Sequence, residues 1–215
     1  VSPDELLKFL QSQPWGKAPL IFVHSSFNSL LTFAGSPQDM LDVLLNLTGE
    51  LEGSLFMPAY TTNSWSLLVK LFDVTLEPTY TGVINEYFRV KPGVTRGLPP
   101  RHSICGYGPL AAEILADHEI CLFANGPDSP WDRIRKKDNA WALTFGVPNT
   151  LSFFHWMDEI EPEKLPYEHF EAEPVEVPVK DHVGNFIKVY DKQIRRNLVF
   201  DPRLIFERLS DEAVK

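Results

Sequence analysis

Three short stretches of the 215-residue sequence hold side chains that could act on a ligand. The first is Val23-His24-Ser25-Ser26-Phe27-Asn28-Ser29, hydroxyl-rich chain leaving the apolar run Leu20-Ile21-Phe22-Val23. At the carboxyl edge of an open α/β sheet, such a segment offers backbone N–H groups and serines to a phosphate or a pantetheine amide. The same residues also suit a capped turn before a helix. The second is Arg96-Gly97-Leu98-Pro99-Pro100-Arg101-His102-Ser103, leading into Gly106-Tyr107-Gly108-Pro109. Two arginines, a hydroxyl and glycines make an anion cradle; the alternative is a rigid proline loop with solvated arginines. A basic loop in an acidic chain favours the cradle.

The third stretch is Asn149-Thr150-Leu151-Ser152-Phe153-Phe154-His155-Trp156-Met157-Asp158-Glu159. On a helix, His155 and Asp158 share a face, so the carboxylate can orient the imidazole as a general base, with Asn149 or Ser152 as a second partner. The plainer alternative is a satisfied structural histidine. No third ligand lies nearby at a metal-binding spacing, so no metal is expected. A serine hydrolase would need a G-x-S-x-G elbow, which is absent. Ser103 has His102 beside it, but sequence neighbours do not face each other. From Asp158 to Glu176 eight carboxylates stand against one lysine, Lys164. Such a run is ordinarily a solvated face; directly after the histidine, it could also steer a polycationic amine.

Composition narrows the partners. Lys+Arg 20 against Asp+Glu 29 leaves a formal charge of -9, which gives no general grip on nucleic acid or anionic lipid and favours a cationic small molecule. The length fits one large domain, and 44% hydrophobic with 23% charged residues is ordinary for a globular chain. Cys105 and Cys121 form neither a metal knuckle nor a redox pair, and read as buried or idle thiols in a reducing cytoplasm. The start Val1-Ser2-Pro3-Asp4-Glu5 reads as a helix cap rather than a secretory signal, and the longest apolar runs are of strand length.

Elements alternate along the chain. Ser2 and Ser36 cap helices with Pro3 and Pro37 at the first position, the second helix stopping at Gly49. Leu20–Val23 and 54–57 are strands; 82–89, a stretch opened by Pro109, and about 152–160 are helices; 140–145 is a strand. This predicts an α/β three-layer sandwich with a mainly parallel or mixed central sheet over residues 1–165. Residues 166–215 read as a small antiparallel lobe with a turn at Asp181-His182-Val183-Gly184-Asn185, then a helix from Asp201-Pro202, packed on the core as one unit.

Taken together these blocks resemble the aminoglycoside 3-N-acetyltransferase family, the non-GNAT antibiotic acetyltransferases. The similarity is collinear through Val23-His24-Ser25-Ser26, Met57-Pro58-Ala59-Tyr60-Thr61, Thr81 to Arg89, Pro92 to Arg96, Ser103 to Pro109, Ser129-Pro130-Trp131 and Gly146-Val147-Pro148. The resemblance implies a cytoplasmic transferase that moves acetyl from acetyl-CoA to an amine of an aminoglycoside or related amino sugar, as in antibiotic resistance. It puts the coenzyme at His24, Ser25, Ser26, Phe27, Ser29, Arg96 and Ser103, and the catalytic pair at His155 and Asp158. Tyr60, Thr61, Asn149 and Glu159 are expected at the acceptor. Three positions depart from the family pattern: Asn149 replaces its aspartate, Asp158 its glutamate, and Pro99 a histidine. Relatives usually continue beyond Leu209, and a homodimer is compatible with the class. The competing reading is a non-catalytic CoA- or sugar-binding relative of the same fold.

Overall fold

The computed structural model describes residues 1–61, 71–147, 152–165, 168 and 170–192; of Phe153, Phe154, Met157 and Asp158 it describes only the helical backbone. In chain order the elements are α1 (Pro3–Gln11), β1 (Leu20–Ser25), α2 (Pro37–Glu50), β2 (Ser54–Pro58), β3 (Phe72–Asp73), α3 (Val83–Arg89), β4 (Thr95–Arg96) and β5 (Ile104–Tyr107). Then come α4 (Ala111–Leu115), α5 (Pro130–Arg135), β6 (Ala140–Phe145), α6 (Phe153–Ile160), β7 (Val175–Lys180) and β8 (Phe186–Asp191).

The all-apolar start of β1 demands a layer on each side, and all six of its residues are buried. The main sheet has the order β4-β5-β2-β1-β6. Strands β2 and β6 run parallel to β1, whereas β5 is antiparallel to β2 and β4 to β5. Alternate residues separate the layers. Ile21, Val23, Leu55, Met57 and Cys105 join Leu10, Leu44, Ile84 and Phe88 of α1, α2 and α3. Leu20, Phe22, Phe56 and Ile104 point the other way, onto Ile114, Leu115, Trp131 and Ile134 of α4 and α5. Each fully buried Leu or Phe contributes about 1.5–3 kcal/mol, so this double-sided packing holds β1 and its exit segment rigidly. The mixed three-layer sandwich is the fold the alternation implied.

Both helix starts carry complete capping boxes, Ser2 with Glu5 and Ser36 with Asp39. Helix α2 continues through Gly49 to Glu50, because its buried stripe persists to Thr48 and outweighs one glycine. Strand β5 was not legible as a strand: it is four residues long and contains Gly106. That glycine is needed because a Cβ there would come within 2.5 Å of the Phe56 ring.

The second sheet has the order β3-β7-β8, with β7 and β8 antiparallel and joined by the turn at Asp181–Asn185. Its small core is Phe72, Val74, Val177, Val179 and Val189. Strand β3 pairs with β7 in parallel, so the lobe draws one strand from chain far upstream of residue 166. The helix expected from Asp201 lies outside the described residues. Among the described residues no helix is long and apolar enough to cross a membrane.

Candidate active site

At its carboxyl end β1 sends consecutive side chains to opposite layers. Ser25 turns toward α3, where its hydroxyl donates to Oδ1 of Asn85 at 3.2 Å, and Asn85 in turn donates to the Pro58 carbonyl at 2.8 Å. Ser26 N–H makes a last bond to the Phe145 carbonyl, 2.8 Å. The chain then enters a single 3₁₀ turn, Phe27–Ser29, with Ser26 Oγ 3.0 Å from Ser29 Oγ. Ser29 is exposed and Ser26 and Phe27 half-buried, so hydroxyls line an accessible sheet edge. Gly146, at φ +66, lets the turn after β6 close on this segment; a Cβ there would lie 2.7 Å from the Ser26 carbonyl.

His24 points into the α4–α5–α6 layer. The Ser152 backbone N–H donates to His24 Nε2 at 3.3 Å, and Ser152 Oγ lies 2.9 Å from the same nitrogen. A nitrogen that accepts carries no proton, so the ring is neutral with its hydrogen on Nδ1. Burial lowers the His24 pKa to about 4, consistent with that neutrality. Among the described residues no partner meets His24 Nδ1, Tyr60 OH or Thr61 Oγ1, all buried. Burial also pushes the Tyr60 hydroxyl well above the usual phenol range, so it stays protonated.

The 96–103 loop is not an open cradle. Arg96 donates to the Glu77 and Ala59 carbonyls, and its guanidinium lies over the Phe72 ring at 4.9 Å. Ser103, fully buried, donates to the Gly97 carbonyl at 2.7 Å. Arg101 is 1% exposed and paired on two sides. Its Nη1 donates to Glu159 Oε1 at 2.8 Å, and its Nε to Asp191 at 2.8 and 2.9 Å. Burial works against the Arg101 charge, but the two carboxylates outweigh it and hold the guanidinium protonated more firmly than usual. The triad ties α6 and β8 to the loop ahead of β5. Glu159, expected at the acceptor, is fully enclosed: its second oxygen accepts from the Asn125 backbone N–H at 2.6 Å. Burial pushes its carboxyl up, with Arg101 opposing.

His102 occupies the left-handed region at φ +50, a conformation that costs a non-glycine residue about 1–3 kcal/mol and is held only where the surroundings fix it. Here Trp131 Nε1 donates to the His102 carbonyl at 3.0 Å, and Nδ1 of the ring is hydrogen-bonded to Asn125 Oδ1. Asn125 Nδ2 reaches the Ser152 carbonyl at 3.5 Å. The His102 ring contacts Tyr60, centroids 4.9 Å apart, and stacks on His155 at 4.4 Å with planes 27° apart. Burial, then His155 and Arg101, push the His102 pKa well below the usual range, with Asn125 opposing.

His155 lies in the first turn of α6, its N–H bonded to the Ser152 carbonyl at 3.1 Å. It is half-buried. Helix α6 therefore brings His155 beside Ser152, and through Ser152 beside His24; Tyr60 joins through His102. Asn149 lies outside the described residues, and so does the Asp158 side chain. Of the acidic run, Glu161 pairs with Lys164 and Glu176 with Lys188, while Glu163, Glu171 and Glu173 are exposed. Burial raises the Cys105 pKa to about 12 and the Cys121 pKa to about 11, making both poor nucleophiles at neutral pH.

Sequence reasoning passed over His102, Asn125 and Asp191 as site residues. A histidine beside Arg101 in a basic loop was the only available signal for His102; Asn125 and Asp191 had none, since their partners lie 23 and 90 residues away.

Residues 22–201 match the family model described as aminoglycoside 3-N-acetyltransferase. Among solved structures, AAC-IIIb in binary complex with CoASH is 18% identical with TM-score 0.75, the match covering 98% of this chain and 85% of that one. Sisomicin-bound AAC-VIa is 22% identical with TM-score 0.75, covering 98% and 86%. The YokD protein from Bacillus subtilis is 20% identical with TM-score 0.74, covering 98% and 87%. These three likenesses establish the fold.

Proposed function

The chain belongs to the aminoglycoside 3-N-acetyltransferase family, and from that premise we propose that it moves an acetyl group from acetyl-CoA to an amine of an aminoglycoside or related amino sugar, with His155 as general base. One observation carries the reading. Helix α6 starts on the His24-Ser25-Ser26 edge through the Ser152–His24 contact at 2.9 Å, so the base stands within one helical turn of the serine-lined sheet end. The CoASH complex of AAC-IIIb and the sisomicin complex of AAC-VIa support the two substrates.

The residues suit those ligands. Acetyl-CoA would supply an activated acyl group as a thioester. Ser26 and Ser29 offer hydroxyls, and Phe27 a backbone N–H, at the accessible edge, where an adenylate or pantetheine arm can be held. The Tyr60 and Thr61 hydroxyls are buried polar atoms whose hydrogen bonds a polyhydroxylated acceptor would complete. Arg96, Ser103, Glu159 and His24 act as positioning residues in this reading, because their polar atoms are engaged in holding loops and α6. Asp158 orients His155, and Asn149 contacts the acceptor.

An ammonium has no lone pair, so the acceptor first gives one proton to solvent and attacks the thioester carbonyl as the free amine; as the C–N bond forms, its nitrogen must shed a second proton. His155 takes that proton. Backbone N–H groups near Ser26 receive the charge that develops on the carbonyl oxygen. As the carbonyl re-forms, the C–S bond breaks and the proton held by His155 passes to the departing thiolate, so the enzyme returns to its starting state without a covalent intermediate.

Calorimetry with acetyl-CoA and a thiol-release assay over a panel of aminoglycosides test this reading. His155→Ala should bind acetyl-CoA as the parent does and lose about 10²–10⁴-fold in kcat. Parental turnover in that variant would remove the general-base role. Thiol release without any acceptor, at the same rate, would make the chain a hydrolase instead.

A further inference from the structure

We propose that His102 is a positioning residue for His155: held as the neutral Nδ1–H tautomer by Asn125, its ring covers one face of the His155 imidazole, fixes the plane of that ring and keeps the base unprotonated at neutral pH. The inference rests on His155 being the base of the proposed transfer.

Four observations converge. The rings lie 4.4 Å apart and 27° from parallel, which is stacking rather than chance approach. Asn125 Nδ2 is directed at the Ser152 carbonyl, which leaves Oδ1 for His102. An amide oxygen only accepts, so Nδ1 of His102 must carry the hydrogen. Arg101 Nη1 lies 3.5 Å from the same nitrogen but directs its shorter bond, 2.8 Å, to Glu159 Oε1. Finally, the backbone at His102 is left-handed, and that conformation, anchored by Trp131, swings the ring under α6 instead of toward β5.

The charges of the described residues around His102 disfavour its protonation. Arg101, from the same loop, lies behind His102 and is balanced by Glu159 of α6 and Asp191 of β8. Tyr60 faces the ring from the chain after β2 and remains protonated. His118, from the 3₁₀ turn after α4, is neutral because burial lowers its pKa to about 3. A face of His155 covered by a neutral ring is a face that water cannot solvate, so the imidazolium is disfavoured until the acceptor delivers its proton.

Asparagine tolerates left-handed backbone, so His102→Asn removes the ring with little strain. The measurements are the pH profile of kcat/KM and the NMR titration of the His155 ring, the latter independent of turnover. Exposing His155 to water should move the acid limb and the NMR midpoint together to higher pH by about one unit, a tenfold change in proton affinity. On the acid limb kcat should fall about tenfold with the KM for acetyl-CoA unchanged, and at neutral pH by about two- to fivefold. Asn125→Ala, which frees the tautomer but keeps the ring, should shift both in the same direction by less. His102→Phe, which restores a covering ring, should return the midpoint toward the parent.

A lower kcat with an unmoved limb and midpoint in both His102→Asn and Asn125→Ala would overturn the proposal and leave His102 a packing residue. If His155→Ala turns over normally, the base assignment fails, whereas the NMR midpoint of His155 in the His102 variants still decides whether the stacked ring controls its ionisation.

Discussion

The two helical layers flanking the main sheet are built on different terms. On the α1–α2–α3 side the interior is hydrocarbon: Leu10, Met40, Leu41, Leu44, Leu47, Ile84 and Phe88 meet Ile21, Val23, Leu55 and Met57. Its buried polar side chains, such as Ser25, Asn85 and Thr48, bond locally. On the α4–α5–α6 side His24, Arg101, His102, His118, Asn125, Asp132, Ser152 and Glu159 are all buried. Polar atoms lose water there, and most are tolerated because they complete one another; among the described residues His24 Nδ1, Arg101 Nη2 and His118 Nδ1 are exceptions. One layer supplies stability; the other holds ionisable groups in fixed protonation states. That is where chemistry can be done.

The contrast can be broken most sharply at Arg101. Arg101→Met removes the cation between Glu159 and Asp191 and leaves two carboxylates buried without a counter-charge. We expect a loss of about 3–5 kcal/mol in urea unfolding, together with a fall in kcat as α6 loses its anchor. A loss near that of a surface substitution would mean the triad is not cooperative. In the hydrocarbon layer, Leu44→Ala should cost about 2–5 kcal/mol by the same measurement while turnover per folded molecule stays at the parent value. A coupled fall in kcat would show that the layers are not separate in function.

The third test is pH. The His24 pKa is about 4 in the folded chain against an ordinary value of 6.5, burial being the cause. Below the unfolded value the unfolded chain binds a proton that the folded one refuses. Stability is therefore full above pH 6.5 and falls as pH drops toward 4, by up to about 3 kcal/mol for this one group. His24→Gln should flatten that part of the stability curve; an unchanged slope would assign the acid sensitivity elsewhere. Smallest is Ser129→Ala, which removes the cap that accepts from the Asp132 N–H at 3.3 Å. It should cost about 1 kcal/mol and leave kcat unchanged. A kinetic effect would extend the functional part of the polar layer to α5.

Much of this was legible along the chain. The apolar run of Leu20 to Val23 announced a central strand, and Ser-Pro with an acidic residue three positions after the serine announced α1 and α2. His155 stood out as a candidate base because a helix places Asp158 three residues on, on the same face. The 96–103 loop was misleading in a specific way. Its arginines and serine have the composition of an anion site, yet Arg96, Arg101 and Ser103 point inward, since carbonyls and carboxylates from distant segments were waiting to pair with them. Strand β5 was hidden because a four-residue strand with a glycine has no period to detect, and its position is set by Phe56 needing room.

The sequence by itself marked α1, α2, α3, α6, β1, β2, β6 and the turn between β7 and β8, together with the hydroxyl-rich edge after β1 and a candidate base. Those depend on local propensity and on periods of two and 3.6, which a chain carries wherever it goes. Tertiary structure alone decided which histidine lies against which, that Glu159 and Asp191 hold Arg101, and that His24 serves α6. Buried polar groups choose partners by position in space. A neighbour 90 residues away, as Asp191 is from Arg101, leaves no mark on the local pattern of either.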